Sequence, residues 1–152
     1  MPIEHIHPMI VHFPIVLVIM AALFDLWAVT LARPAGDTPI ARNIGTVMTA
    51  GAGISAIAAY FFGDMALDVA MSRGFTDAQL ESHEGWGTTT AVALALFAVV
   101  RLVMWRRQLD RKRSGAILAT AMSLAAVLLV AVTAYFGGHL VYDLGVNIKP
   151  AA

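Results

Sequence analysis

Apolar residues fall in four long runs divided by short polar breaks. The first covers about residues 10–32 (IVHFPIVLVIMAALFDLWAVTLA) and stops at Arg33-Pro34-Ala35-Gly36-Asp37, where Pro and Gly forbid continuation. The second, 44–63, is rich in Gly, Ala, Ser and Thr and closes on Gly63-Asp64. The third, 86–105, has Trp86 and Trp105 at its ends, as interfacial aromatic belts require. The fourth, 114–137, starts from Ser114 as a cap and ends at Gly137-Gly138. Each run is close to the ~20 residues that carry a helix across the hydrocarbon. Their even spacing and short connections predict an all-α, antiparallel four-transmembrane-helix bundle, with residues 1–152 as a single transmembrane domain.

Composition turns that pattern into a statement about solvent. The chain is 59% hydrophobic and 13% charged with a mean hydropathy of +0.76, whereas soluble domains run at about 45–50% and about 25%. Disorder, a disulfide scaffold (there is no Cys) and nucleic-acid binding (ten basic against ten acidic residues) are all excluded. So short a chain cannot cover this much apolar surface in water, so the expected solvent is the lipid bilayer. The opening Met1-Pro2-Ile3-Glu4-His5 lacks the positive region of a signal peptide, so the first run is read as a retained span.

Charge then sets the expected orientation. The linker 101–113 carries Arg101, Arg106, Arg107, Arg111, Lys112 and Arg113 against Asp110, a net +5. The linker 64–84 carries Asp64, Asp68, Asp77, Glu81 and Glu84 against Arg73, a net −4. The positive-inside rule therefore places the third-to-fourth linker in the cytoplasm and both termini on the outer, periplasmic side of a bacterial inner membrane. Two charges fall inside spans. Asp25 lies 15 residues after Ile10 and Arg101 lies 15 after Trp86, both about 22 Å deep at 1.5 Å per residue. Both helices run inward from one face, so the two charges are level and are expected to form a structural ion pair.

All five histidines fall on the expected outer side: His5, His7 and His12 at the start of span one, His83 before span three, His139 after span four. Interfacial imidazoles make ordinary hydrogen bonds, but a cluster of them suits Zn, Cu or haem iron. His7 and His12 are five apart, about 140° on a helix, so only one can face a given metal. His12 lies within the span and is the better candidate; His5 and His7 fall in an approach interrupted by Pro8. A bis-histidine haem would then use His12 with His83 or His139, and the lack of Cys-x-x-Cys-His leaves non-covalent, b-type binding. Ser82-His83-Glu84 reads as the cap of span three rather than a triad, and motifs for zinc proteases, serine hydrolases and phosphate loops are missing. Gly45, Thr49, Gly53 and Ile57 form a mostly small ridge suited to helix packing. The eight Met residues are scattered, and nothing repeats internally.

The stretch His7-Pro8-Met9-Ile10-Val11-His12-Phe13-Pro14 resembles the opening of a bacterial family of multi-pass membrane proteins, domain of unknown function 2231, with its His-Pro-x-x-Val-His-Phe-Pro pattern. Asp25, Gly63-Asp64, His83, Gly137-Gly138-His139-Leu140-Val141-Tyr142 and Gly145-Val146 extend the resemblance over about residues 5–148. Where many members carry a His shortly after that Tyr, this chain has Leu144, which leaves His139 as the tail imidazole. The resemblance implies a membrane protein and a candidate membrane cytochrome or partner of periplasmic redox proteins. Three readings follow. One is a b-type haem protein passing electrons near the periplasmic face to a quinol or a periplasmic redox protein, with an electron-transfer rather than catalytic role. Another is a cofactor-free accessory subunit docked to a larger membrane complex through its small-residue ridge. The third is a metal transporter.

Overall fold

The structure is a computed structural model that describes residues 2–30 and 39–148, and all regular structure in them is helical. A 3-10 turn at Ile3–His5 leads into α1 (Ile6–Ile10) and α2 (His12–Thr30). These are followed by α3 (Pro39–Ser72), α4 (Asp77–Arg106), a second 3-10 turn at Leu109–Arg111 and α5 (Arg113–Tyr142). Four stretches are long and apolar enough to cross a membrane: Ile3–Thr30, Ile40–Ser72, Asp77–Arg106 and Arg113–Tyr142. The turn expected at 33–37 lies outside the described residues. The break at Val11 has a local cause: Pro14 offers no N–H to the Ile10 carbonyl and its ring crowds that carbonyl.

Helix α2 packs along α3 and α5, and α4 along the same two, so α2/α4 and α3/α5 form the diagonals of a four-helix bundle. Arg73, just after α3, ion-pairs Glu4 and bonds Asn147, which also donates to the Ala66 carbonyl. The N-terminal segment, the α3–α4 turn and the C-terminal segment therefore meet at one end of the bundle, the terminal end. The Arg-rich α4–α5 connection marks the other, basic end. Between them Val18, Ala52, Ala56, Leu94, Ala126 and Val130 form an apolar plug.

The helices run further than the apolar runs suggest. The expected 64–84 linker is mostly helix: α3 continues through Gly63-Asp64 to Ser72, and α4 begins at Asp77. Helix α5 passes straight through Gly137-Gly138 to Tyr142. Glycine inside a helix costs only about 1 kcal/mol relative to Ala, too little to end a helix with neighbours on both sides. The cap of α4 is Thr76, whose backbone N–H donates to Gln79 Oε1 at 2.9 Å, so Ser82 and His83 lie inside the helix rather than at its start.

No repeat of residue identity accompanies the two hairpins, but part of their burial pattern runs in step. Eighteen residues separate His7 from Asp25, and eighteen separate His83 from Arg101. Between these ends three buried pairs fall in step, Pro14 with Thr90, Val18 with Leu94 and Ala22 with Ala98, while buried Ala21 and Ala91 fall opposite half-buried Phe97 and Ile15. On the return helices Gly45, Thr46, Ala52, Ala56 and Ala66 correspond to Ala119, Thr120, Ala126, Val130 and Leu140, all buried. The chain is thus two helical hairpins, α2–α3 and α4–α5, that start from the same end of the bundle. Few side chains are identical between halves, and pairs such as Ala66 with Leu140 differ in size; what runs in step is depth.

Candidate functional site: two pairs on the bundle axis

On the first helical run the inward stripe reads 7, 14, 18, 21, 25, the spacing of one helix face. His7 belongs to this stripe and His12 does not. His7 is therefore half-buried while His12 is exposed, and the imidazole that meets His83 is that of His7, their ring centres 6.1 Å apart and their planes at 79°. Depth along the helix favours His12, but the face on which it lies decides otherwise. His139 is exposed and bonds Asp143, the residue that follows α5, at 2.6 Å, and His5 is exposed.

Each central imidazole is seated the same way. His7 Nδ1 lies 2.9 Å from the Ala59 carbonyl of α3, and His83 Nδ1 lies 3.3 Å from the Thr133 carbonyl of α5. A carbonyl only accepts, so Nδ1–H is the donor in both, and a neutral ring then carries its free lone pair on Nε2. Four residues beyond each carbonyl stands a glycine against the ring edge. A Cβ at Gly63 would be 3.0 Å from His7 Cε1 and Nδ1, and a Cβ at Gly137 would be 3.0 Å from His83 Cε1. Thr133 is itself tied across to Thr90, hydroxyl to hydroxyl at 2.7 Å, and Trp86 stacks on Phe136 beside it.

That geometry suits some metals better than others. With a metal–nitrogen bond of about 2.0–2.1 Å and a ring centre about 1.1 Å behind its nitrogen, two imidazoles on opposite sides of one metal have centres about 6.3 Å apart, against about 5 Å around a tetrahedral ion. The observed 6.1 Å is nearer the opposed spacing, and with the planes at 79° it is equally the distance of an ordinary edge-to-face contact between two rings. Among the described residues no group of three or more His, Cys, Asp or Glu converges, so a closed structural zinc site has no ligand set there.

The second pair lies eighteen residues nearer the basic end, about 27 Å along the axis. Arg101 and Asp25, only 2% and 3% exposed, join at 2.5 Å through Nη2 and Oδ1. Ser123 donates to Asp25 Oδ2, and Arg101 Nε donates to Thr46 Oγ1 at 3.2 Å. Gly45 makes the approach feasible: a Cβ there would lie 2.5 Å from Asp25 Oδ1 and 2.9 Å from Arg101 Nη2. The small ridge of α3 is largely used inside the bundle as well. Gly45 and Gly53 are buried, and a Cβ on Gly53 would be 2.7 Å from Ala98 Cβ, whereas Ile57 points outward.

No curated protein and no solved structure matches the chain. A family model described as predicted membrane protein (DUF2231) matches residues 4–150, a range that includes both axial pairs. By that match, and by its four membrane-length helices, the chain belongs to the DUF2231 family of multi-pass membrane proteins.

Proposed function

We propose that this is a b-type haem protein of the bacterial inner membrane, passing single electrons near its terminal end, with His7 and His83 as the residues that would hold the haem iron. The observation that carries the reading is the His7–His83 pair: two rings from different helices in edge contact, their centres 6.1 Å apart, each fixed by an Nδ1–H bond to a helix carbonyl that leaves Nε2 free as a donor to iron. The donor chemistry fits low-spin haem iron, which would supply the one-electron couple. The chain's own part is to hold both rings in one tautomer and orientation. A quinol or a periplasmic redox protein would exchange electrons at this end, which the positive-inside rule puts outside.

The accessory-subunit reading loses support because the ridge meant to dock a partner packs within the bundle. Metal handling keeps one observation in its favour: opposed imidazoles at this spacing also suit a single two-coordinate copper ion. A reduced-minus-oxidised visible spectrum of the purified protein, with iron and copper analysis and haemin titration, separates the three. The expected result is a haem spectrum that H7A or H83A abolishes and H12A leaves in place. Copper without haem selects the metal-handling reading, and no binding of either refutes both.

A further inference from the structure

Every buried side-chain nitrogen or oxygen that lacks a partner among the described residues sits at the basic end, on three residues: Arg42 Nε, Arg101 Nη1 and both carboxylate oxygens of Asp110. Buried polar groups are ordinarily satisfied, so four orphans in one place call for a ligand. The residues form a connected ladder along α3. Arg42 Nε lies 3.5 Å from Asp110 Oδ2, too poorly aligned for a hydrogen bond. One turn further into the bundle, Thr46, whose hydroxyl bonds the Arg42 carbonyl, accepts from Arg101 Nε, and Arg101 holds Asp25. Arg101 also borders a small gap of about one water's size, lined mainly by apolar side chains (Val18, Leu94, Phe97, Ala126) and by Thr49 and Ser123, so that Arg101 Nη1 is the group there that calls for a partner.

The chemistry of the orphans selects the occupant. Two are donors on cations and two are acceptors on an anion, and the four charged groups sum to zero. An added anion would face the Asp110 carboxylate, and an added cation would face two guanidiniums. A neutral molecule that both donates and accepts satisfies all four. We propose that the basic end holds an internal cluster of ordered waters, running from Arg42, whose side chain is 17% exposed, past Asp110 to the gap at Arg101, and giving the Asp25–Arg101 pair contact with the aqueous phase at that face. This does not depend on what the histidine pair binds.

The test is water-selective cross-relaxation NMR on the full chain, labelled with 15N-arginine, in nanodiscs of deuterated lipid. The Arg101 guanidinium signal is assigned by its absence in R101K. A rotating-frame experiment separates dipolar contact with bound water from proton exchange by sign. The expected result is a bound-water cross-peak at Arg101 in the unmodified chain, lost or at least threefold weaker in D110L and in A119V, which removes the acceptors and narrows the gap respectively. A dry Arg101 in the unmodified chain overturns the proposal whatever the variants do. A cross-peak equally strong in both folded variants overturns it too, since that water would lie outside the Asp110 cluster and the gap.

Discussion

Replacing Gly45 by alanine tests whether the buried ion pair depends on a missing side chain. In a helix with free space, Gly→Ala stabilises by about 0.8–1.0 kcal/mol. At Gly45 the new Cβ would stand 2.5 Å from Asp25 Oδ1 and 2.9 Å from Arg101 Nη2, where ordinary contact begins at 3.4 Å. Neither neighbour is a loose end. Asp25 is held by Arg101 and Ser123, and Arg101 by Asp25 and Thr46. Overpacking a tight core costs about 1–3 kcal/mol, and separating a buried ion pair by losing one partner about 3–5 kcal/mol. Set against the helix-propensity gain, a net loss of about 2–4 kcal/mol is expected. Gly87 is the matched control, because a Cβ there meets nothing within 4 Å, and G87A should gain about 0.5–1 kcal/mol. Both variants would be unfolded reversibly in mixed detergent micelles, with helical circular dichroism as the signal. Equal stability of G45A and G87A would falsify the claim that the ion pair occupies the space beside Gly45.

In a double-mutant cycle on D25N and R101Q, each single change should cost about 3–5 kcal/mol and the double at least about 1 kcal/mol less than their sum; strict additivity would show that the two residues act separately. G63A and G137A should each push an imidazole off its carbonyl, seen as a changed 15N tautomer signature of His7 or His83 and, if haem is bound, a shifted midpoint potential; unchanged signatures would mean the glycines do not seat the rings. R73A should raise hydrogen exchange in residues 3–10 and 144–148 together, since Arg73 holds both Glu4 and Asn147, and exchange confined to one segment would count against a shared clasp.

The four membrane helices can be read from the chain because lipid rewards long apolar runs with few charges, and that signal is one-dimensional. The meeting of Asp25 and Arg101 follows from depth alone, since two helices entering from one face put equal intervals level. Choosing between His7 and His12 needs the helix face. The stripe of Pro14, Val18, Ala21 and Asp25, stepped back by two turns, arrives at His7, so the information is present in the chain, but as an angle and not as a depth. The reach of α3, α4 and α5 beyond the apolar runs is hidden because helix ends outside the hydrocarbon are set by tertiary packing and caps such as Thr76, not by hydropathy. The partial agreement in depth between the two hairpins is hidden because it lies in which positions face inward and not in residue identity.

The two hairpins differ in one respect that bears on how the chain finds its partner half during assembly. At the histidine level the two halves are interchangeable, and either hairpin could face a copy of itself and still oppose imidazole to imidazole. Eighteen residues away that freedom ends. A first half against another first half would confront carboxylate with carboxylate, and two second halves would confront guanidinium with guanidinium, each in the low-dielectric middle of a bundle. Only unlike halves neutralise each other. The Asp25–Arg101 pair therefore acts as a key that forbids like-with-like association, so that a protein built from two similar hairpins assembles in a single arrangement, whether the unlike half comes from the same chain or a neighbouring one.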